Sequence, residues 1–248
     1  KLKVGDRVSE GSLVLLMAVD IPYKAEANAP TGRPLPEIAR QPRYIVAVAT
    51  ATLAYGIMML VMTATPVAML GCGFTVQDSS WVIQWHSLAM FVPSFFTGHI
   101  IIRFGAERVA AFGMLLLAAA GISGLLGIRF ENFAIGLILL GLGWNFVFIG
   151  ATTMLTGCYA PSERNKAQGL NDLVIFTVTA IASLSAGQLL DSFGWNAVNI
   201  AVFPSVLGVS LGPALRMDLV VYDSVIVKVK AVEQRLSIHA SQSLPVCG

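Results

Sequence analysis

Six runs of mostly apolar residues, each close to or above the roughly 20 needed to cross a bilayer as a helix, constrain this chain more than anything else in it. They fall at about 44–70, 82–102, 109–128, 133–157, 173–190 and 195–215. In lipid only helices and closed barrels satisfy every backbone group, and these runs lack the period-2 alternation of barrel strands. The runs therefore predict an all-α integral membrane fold with six transmembrane helices. The first is long enough to tilt or to kink at Pro66. Only "LLDSFGW" separates the fifth from the sixth, which predicts a tight turn over Asp191–Gly194.

Composition agrees with the bilayer. Of 248 residues, 56% are hydrophobic and only 12% charged, against about 25% charged in soluble domains. Mean hydropathy is +0.74. A soluble domain of this length could not hide so much apolar surface. The net charge of +2 is too small to argue for nucleic acid, and no basic, aromatic-interleaved stripe is present. Cys72, Cys158 and Cys247 fit neither a disulfide framework nor a zinc pattern and read as buried small residues. No Gly-rich phosphate loop, nucleophile elbow or metal-ligand spacing occurs, so no enzyme, cofactor or metal is expected. The chain starts at Lys1 rather than Met, which suggests a piece of a longer reading frame.

Lys and Arg positions predict the orientation. Arg40 and Arg43 precede the first span, Arg103 and Arg108 lie between the second and third, Arg164 and Lys166 between the fourth and fifth, and Arg216 follows the sixth. The alternate loops, "GCGFTVQDSSW", "RFEN" and "DSFG", carry Arg129 alone. Both termini and the loops at 103–108 and 158–171 are therefore expected in the cytoplasm. Residues 1–43 read as a linker, Pro-rich and basic over 20–43, and residues 216–248 as a cytoplasmic tail that alternates weakly like a strand. The run "LVLLMAV" at 13–19 is too short to span.

Polar residues inside the spans are the candidates for function. On the fourth span Trp144 and Asn145 fall near mid-depth, with Thr152 and Thr156 seven and eleven residues on from Asn145, along one helical face. Two readings of Asn145 stand: a hydrogen bond to a neighbouring helix, or contact with a substrate. Gly141, Gly143 and Gly150 on the same span favour close packing or bending. The first span offers Thr52 and Tyr55, whose hydroxyl needs a partner. His86, on the second span, is either a hydrogen-bonded structural histidine or a proton carrier. No Asp, Glu, Lys or Arg occupies the middle of any run, so this chain supplies no intramembrane coupling charge. Asp172, beside Asn171, reads as the cap of the fifth helix. The third run is almost wholly apolar and is expected to turn a broad side to lipid.

The charges between the second and third spans form a compact hairpin signal. In Gly98-His-Ile-Ile-Ile-Arg103-Phe-Gly105-Ala-Glu-Arg108, Gly98 allows close helix approach, Gly105 tolerates a positive φ, and the arginines anchor the loop at the membrane face. An ordinary positive-inside loop would explain the charges alone. The stretch also resembles the loop motif of the major facilitator superfamily, Gly-x-x-x-Asp-Arg-x-Gly-Arg-Arg/Lys, with Gly98, Arg103, Gly105 and Arg108 at or beside motif positions. Ile102 stands where the motif has Asp, so the resemblance carries no charge relay through this loop. "WHSLAMFVPSFFTG", "GLGWNFVFIGATTMLTGCYAPSERNKAQGLND" and "GWNAVN" are similar to helices eight, ten to eleven, and twelve of bacterial members, and the likeness covers about residues 33–215.

The resemblance implies a twelve-helix fold of two six-helix halves, of which this chain is the second. It implies a bacterial inner-membrane protein whose partners are the lipid bilayer, the N-terminal six-helix half and a small-molecule substrate. Asn145, Trp144, Tyr55, Thr52, Thr152 and His86 would then face the substrate. Gly98, Arg103, Gly105, Arg108, Arg164 and Asp172 would serve the loop and inner gate. The expected function is secondary transport by alternating access. The alternatives are a non-transporting membrane scaffold or inactive fragment, and a six-helix channel, which would want a polar face through several spans.

Overall fold

The computed structural model describes residues 32–204 and residue 206. The run at 13–19, the tail, Cys247 and about half of the sixth predicted span lie outside the described residues. Among those described, helices α1 (Leu35–Ala39), α2 (Pro42–Gly71), α3 (Val76–Phe91), α4 (Ser94–Phe104), α5 (Ala106–Leu125), α6 (Phe130–Thr156) and α7 (Arg164–Ile200) follow one another, with a 3₁₀ turn at Pro161–Glu163 leading into α7. The first, third, fourth and fifth predicted spans are α2, α5, α6 and α7, each within a helix long and apolar enough to cross a bilayer.

Local chemistry explains the boundaries. Pro42 opens α2, where its missing N–H costs nothing. Thr75 and Asp78 form a capping box at the start of α3: Thr75 Oγ1 accepts from Asp78 N at 3.1 Å while the Asp78 carboxylate accepts from Thr75 N at 2.9 Å. Pro66 stays inside α2 without ending it. Gly105 (φ +88°) both ends α4 and starts α5, and Gly194 (φ +78°) breaks the helical path after α7's long first part. The turn expected at 191–194 is therefore made at its glycine.

The second span is not one straight helix. α3 and α4 meet at Val92–Pro93 with a bend of 42°. Pro93 has no N–H to give the carbonyl four residues back, so the ladder is interrupted there. Two further expectations are corrected. The fifth helix begins at Arg164, eight residues before Asp172, so Asp172 lies exposed in its third turn and caps nothing. Cys72, at the end of α2, is exposed, whereas Cys158 is buried.

α6 is the hub, packed on α2, α3 and α5. Its glycines are the reason. A Cβ at Gly143 would stand 2.8 Å from the Gly113 carbonyl oxygen on α5, one at Gly150 would stand 2.9 Å from the Ala106 oxygen, and one at Gly141 would stand 2.7 Å from the His86 oxygen on α3. Bilayers supply little hydrophobic drive between helices, so such backbone approaches carry the association. Gly98 has no neighbour within 4 Å of a would-be Cβ, so the close approach expected there is not made. α5 buries Ala110, Gly113, Leu117 and Gly121 on one side and exposes Phe112, Leu115 and Ile122 on the other. After Gly194 the chain turns back onto α5, where Trp195 Nε1 donates to the Gly124 oxygen at 2.9 Å. The most apolar stretch of α7 is only 17% buried, against 50–56% for α2, α5 and α6.

Candidate functional site

Where α2, α6 and α7 meet, three rings form a cluster. Trp144 and Phe148, one turn apart on α6, stack with centroids 4.9 Å apart and planes 8° from parallel. Tyr55 of α2 sets its edge against both, at 5.3 Å from Trp144 and 5.6 Å from Phe148. The spacing of Trp144 and Phe148 puts them on one helical face, and Ala51, Ala151 and Ile175 fill the base. Phe148 was not singled out by its sequence, although an aromatic four residues from Trp144 was a legible signal.

On the helices that form this cluster, polar atoms are buried without hydrogen-bond partners among the described residues. They include Trp144 Nε1, Thr52 Oγ1 and, on α7, Thr179 Oγ1. Gly56, one residue beyond Tyr55, meets Val178, one residue before Thr179, which brings the α2 and α7 faces together. Buried polar groups left open cost free energy unless water, a ligand or another chain satisfies them. Thr52 also lines an apolar groove of about 430 Å³ between α2 and α7, with Tyr44, Val48 and Val174.

Asn145 faces elsewhere. Its Nδ2 donates to the Met90 carbonyl at 2.7 Å and to Ser94 Oγ at 2.6 Å, and its Oδ1 accepts from Thr97 Oγ1 at 2.6 Å. Those partners straddle the α3–α4 break. The Met90 oxygen, on the last turn before the break, takes this bond from Asn145 rather than from the backbone N–H of Ser94. Asn145 is 1% exposed, and both of its amide hydrogens are engaged. In this conformation it clamps the broken span.

Thr152 Oγ1 bonds back to the Phe148 oxygen at 2.8 Å and Thr156 Oγ1 to the Thr153 oxygen at 2.7 Å, so the hydroxyl row below Asn145 is spent on its own helix. His86 is fully buried between α3 and α6, with Nδ1 2.8 Å from the Leu137 carbonyl. That bond requires the proton on Nδ1, and Nε2 has no partner among the described residues.

The loop residues separate into two places. Arg103, Gly105 and Arg108 form the α4–α5 turn, with the Arg103 guanidinium 5.4 Å from the centroid of the Phe104 ring. Arg164 and Asp172 lie on α7, where Arg164 Nε reaches Gln168 Oε1 at 3.3 Å.

The organising charge at the start of α7 is Glu163, which the sequence reading passed over. Arg33 grips it through its backbone N–H (2.7 Å), Nε (2.9 Å) and Nη2 (2.8 Å), and Nη2 also donates to the Cys158 oxygen at 3.1 Å. Ala160 N–H adds a bond to Glu163 at 2.9 Å, and Lys166 Nζ reaches the Arg33 carbonyl at 3.2 Å. Beneath this clasp Tyr44 donates to the Ala167 oxygen at 2.7 Å, and Ile38, Leu155 and Cys158 pack together. The hydrogen bonds from Arg33, then that from Ala160 N–H, hold the Glu163 carboxyl well below its ordinary 4.5, at about 2. A depressed folded value stabilises the fold above about pH 4.5, and that contribution is lost as pH falls toward 2. Glu163→Gln should therefore lower the thermal midpoint at pH 7, and the gap to wild type should shrink at pH about 3. Circular dichroism melts at the two pH values check this. A gap of the same size at both would refute the ion pair as its source.

The family profile of the Major Facilitator Superfamily matches residues 46–236. A protein of Brucella anthropi described as riboflavin transporter RfnT is 49% identical over 205 residues, covering 83% of this chain and 52% of its own length. Two Bacillus subtilis proteins, the uncharacterized MFS-type transporters YddS and YdeG, are each 32% identical over 60% and 63% of this chain. This chain covers 35% and 37% of their lengths, so it spans between about a third and a half of these curated relatives. No solved structure gives a significant match. The apolar helices, their order and the matched profile agree, and the chain belongs to the Major Facilitator Superfamily of multi-pass membrane proteins.

Proposed function

We propose that this chain is the second six-helix half of a secondary transporter, and that it moves riboflavin or a similarly flat, polar-edged ring compound by alternating access. The observation that carries the reading is the stacked pair Trp144–Phe148 with Tyr55 at its edge, with buried, unpartnered polar atoms on Trp144 itself and on Thr52 and Thr179 of the adjoining helices. Aromatic faces suit a planar ring, and buried polar atoms at its rim suit the ring's heteroatoms. Similarity to a protein described as a riboflavin transporter supports the same substrate class.

Trp144, Tyr55 and Thr52 contact the solute in this reading, while Asn145 and His86 hold α6 to the broken span and position the rings. Thr152 lies one turn beyond Phe148, at the edge of the site. The sparsely buried α7 and the groove beside Thr52 face the first six-helix half, supplied by the same protein. Lys and Arg placement supports an inner-membrane orientation with both termini and the loops around Arg103, Arg108 and Arg164 in the cytoplasm. Gly98, Gly105 and Asp172 belong to those inner ends. No carboxylate lies mid-span here, so any coupling charge sits in the other half.

Expression in a riboflavin auxotroph tests this. The chain is paired with the part of the Brucella anthropi relative that it does not match, and uptake of labelled riboflavin is measured. The pair should restore saturable uptake, and the chain alone should not, because alternating access needs two bodies around one site. Trp144→Ala in the pair should raise the half-saturating concentration about tenfold or more, as losing an aromatic contact worth about 1–3 kcal/mol would. A membrane-inserted pair with no uptake above the empty vector, or full affinity without Trp144, would overturn the proposal.

A further inference from the structure

We propose that the crevice between α4 and α5 is a binding site for one anionic phospholipid, with an acyl chain in the crevice and the headgroup phosphate on Arg108 and Arg103. The crevice has a volume of about 360 Å³ and is lined by Ile100, Phe104, Arg108, Val109, Phe112 and Phe146. Every lining residue but Arg108 is apolar. It exists because the two helices are held differently. α5 is drawn onto α6 by the glycine contacts at Gly113 and Gly150, whereas α4, leaving the bend at Pro93, buries only Thr97. α4 stands off its neighbours, and Phe146 of α6 floors the gap.

Charge identifies the occupant. Arg103 and Arg108 flank the turn at Gly105, where two helices end together, so their guanidinium groups sit at headgroup depth. Residue 102, next to Arg103, is an isoleucine 86% exposed. The contact of Arg103 with Phe104 keeps that guanidinium beside the crevice mouth. Two arginines over an apolar slot match a phosphate ester on a hydrocarbon chain. A basic recess between helices at the interface is where anionic headgroups bind. A free phosphate would satisfy the arginines and leave the slot without an occupant, so the lipid is the ligand.

The test uses the full chain in mild detergent, incubated with equal amounts of phosphatidylglycerol and phosphatidylcholine, with bound lipid counted by native mass spectrometry. Wild type should retain phosphatidylglycerol over phosphatidylcholine by about fivefold or more per engaged arginine. Arg108→Gln should reduce that preference toward parity. Ile100→Trp, which fills the crevice from α4, should lower retention of both lipids. Circular dichroism melts matching wild type show that these variants are folded. Glycerol 3-phosphate at millimolar concentration should displace neither lipid. Equal retention of the two lipids by wild type, an unchanged preference in Arg108→Gln, or displacement by glycerol 3-phosphate would each overturn the proposal.

Discussion

Gly143→Ala should destabilise the bundle by about 1–3 kcal/mol, the cost typical of forcing a methyl into a packed core. The added Cβ would lie 2.8 Å from the Gly113 carbonyl oxygen and 3.0 Å from two carbons of Leu117. The contact is reciprocal: a Cβ at Gly113 would meet the Gly143 oxygen at 2.8 Å and the Val147 backbone nitrogen at 2.9 Å. Backbone atoms on two helices cannot swing aside as a flexible side chain can, so the helices must separate. Gly98→Ala is the matched control, because nothing lies within 4 Å of its Cβ and alanine favours a helix. Thermal unfolding of the two variants in the same detergent decides the matter. Equal midpoints would mean that the α5–α6 approach does not hold the bundle.

Asn145→Ala should cost roughly 1–2 kcal/mol, at the upper end for polar contacts between membrane helices. Measured single contacts there are small, but this side chain makes three, to Met90, Ser94 and Thr97. One of them serves a carbonyl beside a proline break, where the backbone supplies no donor of its own. The same substitution separates positioning from solute contact. In the paired uptake assay a positioning role predicts a lower thermal midpoint with the half-saturating concentration changed by less than about threefold, since the aromatic cluster stays on α2 and α6. Weakened affinity with an unchanged midpoint would return Asn145 to the binding surface.

The comparison of sequence with structure turns on the range of the interactions involved. Hydrophobic length is a one-dimensional property, and it was enough to find α2, α5 and α6 within a few residues, but α7 begins at Arg164 and runs to Ile200, well outside the 173–190 expected. Gly105 and Gly194 were legible as turns because a positive φ is a local requirement. The glycines of α6 were legible as packing residues, but their partners were not. Gly98 looks the same in the sequence as Gly143, yet one meets open space and the other a carbonyl. Helical periodicity puts residues on a face without saying what the face meets. Asn145 and Trp144, neighbours in sequence, consequently serve different contacts about 100° apart around α6.

The Arg33–Glu163 clasp was beyond sequence reading for the same reason, since its partners are 130 positions apart. Asp172 misled because the helix begins earlier, at Arg164, after the turn that Glu163 organises. The sequence by itself determined the solvent this protein folds in, where the apolar spans of the described residues lie along the chain, and where its charges can lie. Those follow from the cost of exposing backbone and charge to hydrocarbon, which each segment meets on its own. Only the tertiary structure decided the 42° bend, the partners of Asn145 and His86, and the meeting of Tyr55 with Trp144 and Phe148. Those depend on how each helix is rotated and how closely it approaches, which is set by the fit of side chains from several helices at once.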